Sequence, residues 1–260
     1  MSNYGEIQED FYTERTRILE ALQQPENRHM VMRLIGALAF RTHCPQYGYI
    51  QDTLGRKFTD IDFASYRRFT KDITRLLTEL GYKEEKMVTQ LFGEARMLFN
   101  DPVYGRHIDI FYEKLDFCHP VVFSNRLEVE ELTLPLAELL LEKMQIVKIN
   151  EKDQIDSIML LREHPVGDSD IETINAGVIA RTLGDDWGFW RTVTANLRLL
   201  DEMLDGYANL KDEDRQVVRE RIHQLQERVE RQPKTPRWKL RARIGERVKW
   251  YKDVEELMHR

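Results

Sequence analysis

Two cysteines, Cys44 and Cys118, are all that the 260 residues contain, and they form no CxxC pair. A disulfide framework is thereby excluded, and a reduced, cytoplasmic setting is expected. Long apolar runs are missing too: nothing approaches the roughly 18 to 20 residues of a membrane span. The opening stretch MSNYGEIQEDFYTER is acidic and polar, unlike a charged-then-apolar secretion signal, so a soluble protein is expected. Neither GxxxxGK[ST] nor GxGxxG occurs, which removes the P-loop and the dinucleotide-fold fingerprints. Ser124, Ser157 and Ser169 have no elbow motif around them, and His43, His107 and His119 lack metal-ligand spacing. There is no internal repeat and no low-complexity linker.

What is present suits a globular protein. The hydrophobic share is 42%, enough for a sizeable core, and the net charge is -6, which argues against a surface wholly dedicated to nucleic acid while leaving room for one basic face. Ile7, Phe11, Ile18, Leu19 and Leu22 recur at helical spacing and predict a leading helix from Tyr4 to about Gln24, closed by Pro25. The run Met30 to Leu38 is apolar and ends in a Gly-Ala pair, which suits a buried strand turning sharply into a short helix, Ala39 to His43. Phe69 to Leu80 is helical with Gly81 as its stop, and Glu94 to Phe99 and His107 to Tyr112 are strands joined by a turn at residues 100–105. A short strand is expected near Leu127 to Leu132. Helices follow from Pro135 to about Ile149, Lys152 to Arg162, Asp170 to Leu183, Trp187 to Tyr207, Asp212 to Arg231 and Arg237 to His259. The class is therefore α/β (α+β): a small mixed sheet with flanking helices, then an all-α carboxy-terminal lobe. The expected boundary falls in His164-Pro-Val-Gly167, giving units 1–165 and 166–260.

Acidic residues interrupt two of the apolar strands. In Thr59-Asp-Ile-Asp62 the carboxylates of Asp60 and Asp62 are two residues apart, so in an extended chain they leave one face about 7 Å apart at Cα. In Arg106-His-Ile-Asp-Ile-Phe-Tyr112, Asp109 sits in the middle of an apolar run, where an acid needs a partner or a cation. Two anions about 5 Å apart at an effective dielectric near 20 repel by roughly 3 kcal/mol. A divalent ion relieves that conflict, and magnesium prefers oxygen ligands and phosphate. Two ions held by Asp60, Asp62 and Asp109 would suit phosphoryl or nucleotidyl transfer.

The order of these pieces resembles the nucleotidyltransferase superfamily that includes DNA polymerase β: strand, Gly-Gly or Gly-Ser turn, helix, Asp-x-Asp, then a lone Asp on the adjacent strand. Leu34-Ile-Gly-Ala-Leu-Ala39 matches the turn, Thr59-Asp-Ile-Asp62 the paired acids and Asp109 the lone one. The chain departs from the pattern at Ala37, where Gly or Ser is usual, so a serine hydroxyl is absent while the backbone amide remains available to phosphate. Leu136 to Leu161, with Lys143, Lys148, Lys152, Asp153 and Asp156, resembles the helical segment of the abortive-infection and toxin-type branch. There the resemblance implies that Lys143 and one of Asp153 or Asp156 complete the nucleotide site. It spans about Met30 to Leu161.

The expectation is a magnesium-dependent transfer of a nucleoside monophosphate from a nucleoside triphosphate to an acceptor hydroxyl on RNA, a small molecule or a protein. Asp60, Asp62 and Asp109 are the expected catalytic and metal-holding residues, and Gly36, Ala37, Arg56, Thr59, Lys143 and Asp156 the expected nucleotide-site residues. The alternative is a non-catalytic nucleotide-binding or interaction protein on the same scaffold. Residues 231–252 are rich in Arg and Lys, with Trp238, Trp250 and Tyr251 among them. They either form the solvated flank of aromatics packed on the lobe or offer RNA a face of cations and rings.

Overall fold

A computed structural model describes residues 4–253 and has mixed α/β architecture. It separates into two compact units, residues 1–45, 55–115 and 122–135 forming the first and residues 46–54, 116–121 and 136–260 the second. The division after Pro135 differs from the boundary expected near residue 165, and it assigns Leu136–Glu163 to the second unit.

In chain order the elements are α1 (Tyr4–Leu22), β1 (Met32–Ile35), α2 (Gly36–His43), α3 (Tyr49–Thr53), β2 (Ile61–Ser65), α4 (Thr70–Glu79), β3 (Lys83–Glu84), α5 (Lys86–Phe92), β4 (Arg96–Asn100) and β5 (His107–Tyr112). All but α3 belong to the first unit, where the five strands form one sheet in the order β1-β2-β5-β4-β3. β1 runs antiparallel to β2, β2 parallel to β5, and β5 antiparallel to β4.

Period-2 alternation gives this sheet two unlike faces. One face carries Met32, Leu34, Ile61, Phe63, Met97, Phe99, Ile108, Ile110 and Tyr112, every one of them at 1% exposure or less. The opposite face carries Arg33, Asp62, Arg96, His107 and Asp109. A dry core on one side fixes the register, since a slip of a single residue would expose the apolar set, and the register then fixes where the charges stand. The strand expected near Leu127 to Leu132 does not form: the chain meets β1 only through an isolated bridge between Leu34 and Thr133. Asn125, at φ 65, turns the backbone just before it.

The second unit continues with α6 (Leu136–Met144), α7 (Glu151–Glu163), α8 (Ala176–Asp185), α9 (Trp187–Met203), α10 (Asp212–Arg231) and α11 (Pro236–Ile244). α6 stops before the expected Ile149 because the Asn196 amide takes up the terminal carbonyls, donating to those of Met144 at 2.9 Å and Ile146 at 2.8 Å. α8 starts later than Asp170 because residues 166–167 pair in parallel with residues 174–175, and the Asn175 side chain then caps the helix at Val178. α11 is far shorter than expected: Thr235 caps it, Pro236 opens it, and Gly245 at φ +61 ends it. The rest of that expected helix, residues 254–259, lies outside the described residues.

Beneath α10 the buried Asp214 accepts hydrogen bonds from Arg162 Nε at 2.6 Å and from the Tyr49 hydroxyl at 2.5 Å. Burial and that bond raise the Tyr49 pKa. α3, α7 and α10 are thus tied together through one carboxylate.

Candidate functional site

Of the sequence-derived residues, Asp62 and Asp109 come closest to expectation. They are register partners on the parallel strands β2 and β5, so their side chains leave the same face of the sheet from backbones about 4.8 Å apart. Asp109 is buried and Asp62 half-buried. Asp60 and Thr59 immediately precede β2, Asp60 half-buried and Thr59 exposed.

Gly36 opens α2 directly after β1, with φ at +66. A Cβ placed there would stand 2.5 Å from the Asp62 carboxylate oxygen Oδ2. Only glycine fits, and the lack of a side chain lets the carboxylate approach the first turn of the helix, where amide groups without intrahelical partners favour anions. Ala37 is buried in the same turn. Gly36→Ala is expected to destabilise the protein by at least about 2 kcal/mol, combining left-handed strain with the overlap on Asp62. Chemical denaturation measures this; an unchanged midpoint would remove the argument for glycine at this position.

Sequence reasoning did not anticipate Arg96. From β4 its Nε donates to Asp109 Oδ1 at 2.6 Å and its Nη2 to Oδ2 at 2.8 Å, a two-pronged clamp on the carboxylate. Its guanidinium also lies 5.4 Å from the Phe111 ring centroid. Burial works against the Arg96 charge, but the hydrogen bonds and charge of Asp109, with Asp62 and Asp60 nearby, outweigh it and raise its pKa. The signal for Arg96 was in the sequence as the alternation Arg96, Leu98, Asn100, which puts it on the face of Asp109 once β4 pairs with β5. On the same face His107 Nδ1 is 2.7 Å from Asn100 Oδ1.

Among the described residues no group of three or more His, Cys, Asp or Glu side chains is gathered closely enough to hold a metal ion. The donor chemistry of Asp62 and Asp109 suits a hard divalent cation, and Arg96 supplies positive charge to the same carboxylates. Arg56 is buried and donates to the Lys57 carbonyl through its Nη1.

In the second unit Lys143, near the end of α6, meets the start of α7. Its Nζ lies 3.4 Å from Asp156, 3.5 Å from Asp153 and 3.4 Å from Glu142. Asp156 is fully buried and accepts a 2.7 Å hydrogen bond from the Gln51 amide on α3. The lysine and the two aspartates singled out in sequence are therefore brought into one cluster, and Gln51 is a partner that the sequence did not suggest. Asn150 positions Asp153 by accepting its backbone amide at 3.0 Å.

No protein-family model, curated protein or solved structure matches the chain.

Proposed function

We propose that the protein is a magnesium-dependent nucleotidyltransferase that moves a nucleoside monophosphate from a nucleoside triphosphate to an acceptor hydroxyl. The observation that carries this reading is the pairing of Asp62 with Asp109 across β2 and β5, with the Gly36 turn set against Asp62. Two carboxylates at one level of a sheet, beside the start of a helix, form a surface to which a cation and a phosphate can be drawn together. When bound, magnesium would supply charge neutralisation for the departing pyrophosphate. Asp62 and Asp109 would hold it, with Asp60 just before β2 outside that pair, Asp109 would also draw the proton from the acceptor hydroxyl, and the amides at Gly36 and Ala37 would receive phosphate oxygens. Thr59 and Arg56 are the further nucleotide contacts in this reading, whereas Lys143 and the fully buried Asp156, tied to each other in the second unit, are not part of it.

The test is incubation with each labelled triphosphate and a cell extract, with and without Mg²⁺. Metal-dependent pyrophosphate release with label passing to an acceptor supports the proposal. The Arg96 clamp on Asp109 favours a second reading, a nucleotide-binding protein without turnover. Calorimetry separates the two, because tight metal-independent triphosphate binding with no pyrophosphate release belongs to the second alone.

Arg96→Met gives a further expectation. With the guanidinium gone, Asp62 and Asp109 repel by roughly 3 kcal/mol at about 5 Å, so added Mg²⁺ should raise the unfolding temperature more in the variant than in the parent. Equal shifts in both proteins would place the ion elsewhere.

A further inference from the structure

All four tryptophans of the chain, Trp187, Trp190, Trp238 and Trp250, gather in the second unit. Ring centroids stand 6.2 Å apart for Trp187 and Trp250, 5.2 Å for Trp190 and Trp238, and 5.3 Å for Trp250 and Tyr251. A cluster serving only as core would be sealed. This one opens on a cavity of about 470 Å³ walled in part by Trp187, Trp238, Trp250 and Tyr251, a volume within the range of ligand sites.

The same cavity is lined by Arg237, Arg241, Lys249 and Lys252. Between Arg231 and Lys252 the sequence holds nine Lys or Arg residues against one acid, Glu246, in a chain of net charge -6. So strong a local reversal of sign calls for an anionic partner. Arg241 braces the wall, lying 4.8 Å from the Trp187 ring centroid and donating to the carbonyls of Gly245 at 2.6 Å and Val248 at 2.7 Å. Of the lining acids, Asp186 is engaged as the cap of α9, accepting the Phe189 amide at 2.9 Å. Another lining residue, His119, stacks on Phe189 at 5.1 Å and lies 2.8 Å from the Thr192 hydroxyl; burial lowers its pKa to about 4, against a smaller opposing pull from Asp186. It stays neutral at physiological pH, so the charge of the site is the balance of Arg237, Arg241, Lys249 and Lys252 against Asp185 and Asp186, with Lys252 paired to Asp116 at 2.7 Å and Lys249 to Asp253, carboxylates that a phosphate must displace or share.

We propose that this cleft binds a single-stranded nucleic acid, one base entering among Trp238, Trp250 and Tyr251 while neighbouring phosphates lie on Arg237, Lys249 and Lys252. A small anion would use the cations and leave the rings idle, and a duplex would keep its bases from the rings. Only an unpaired strand uses both, its bases stacking on the rings while its phosphates meet the cations. The inference does not depend on catalysis in the first unit.

The full chain, without Mg²⁺ or triphosphate, is titrated with single strands of about twelve nucleotides, RNA in one arm and DNA in the other, following tryptophan fluorescence. Quenching is expected with a salt slope near -2, the value for about three neutralised phosphates on a single strand. A preference between the arms identifies the natural strand. Arg237→Glu with Lys249→Glu should weaken binding at least about tenfold, whereas Lys152→Glu with Arg198→Glu, an equal change of charge on the same unit, should weaken it less than about threefold. Circular dichroism identical to the parent ensures that folded proteins are compared. No quenching by either strand, equal losses in the two double variants, or equally tight binding of poly-glutamate would each overturn the proposal. Because no nucleotide transfer is read, these outcomes are separate from the fate of the transferase reading.

Discussion

Asp62→Asn is expected to reduce magnesium-dependent pyrophosphate release by at least about a thousandfold, or some 4 kcal/mol of transition-state stabilisation, while leaving stability equal or slightly higher. The amide keeps the shape of the carboxylate and so preserves its packing against Gly36. It removes one of two like charges that face each other across β2 and β5, a repulsion that Arg96 offsets from the Asp109 side. A purely structural aspartate would lose stability and activity together. Opposite movements of the two are the mark of a charge retained for chemistry. Progress curves of pyrophosphate release and urea midpoints on the same preparations decide it, and a fully active variant would remove Asp62 from the reaction.

Arg106→Met should cost the fold about 3 to 5 kcal/mol, the range for leaving buried charge without its partner. Arg106, at the entrance to β5, donates to Asp101 at 2.6 and 3.0 Å and to Asp10 at 2.9 Å, and it lies 3.4 Å from Glu14 on α1. Burial tends to raise the pKa of Glu14, but hydrogen bonds from Arg17 and Tyr82 and the Arg106 charge prevail and hold it below the ordinary carboxylate range. Asp101 behaves alike: burial raises it, while Arg106 and the amides of Val103 and Tyr104 bring it down. Carboxylates lowered in the folded state add stability that is complete above their unfolded pKa values, near 4, and is lost as pH falls through the lowered ones. Unfolding free energy should therefore decline below about pH 5 in the parent and decline less in Arg106→Met, which has already lost part of that contribution. A variant within about 0.5 kcal/mol of the parent at pH 7 would show that the cluster contributes little.

Elements governed by local rules were legible. β5 and α10 match their expected bounds, His107 to Tyr112 and Asp212 to Arg231, because alternation in one and helical periodicity in the other are complete within the segment. The Gly36 turn and the pairing of Asp62 with Asp109 were also readable, the first from a glycine at a strand-to-helix junction and the second from acids in apolar runs. What the sequence hid was settled from a distance. α6 ends where Asn196, some fifty residues later, takes its carbonyls. Arg96 becomes the partner of Asp109 only after β4 and β5 pair, and Gln51 reaches Asp156 only when α3 meets α7. Near Leu127 the chain follows a left-handed residue, Asn125, and meets β1 through the isolated bridge between Leu34 and Thr133 in place of the expected strand.

Residues 46–54 belong to the second unit although the residues on both sides of them belong to the first. No single cut can therefore release either unit whole. A fragment beginning at Leu136 would lack the helix that seats the Gln51 amide on Asp156 and the Tyr49 hydroxyl on Asp214, and it would leave two buried carboxylates without those donors. During synthesis that short helix precedes its partners on α7 and α10 by about a hundred residues or more, so the second unit can finish folding only after α10 has emerged.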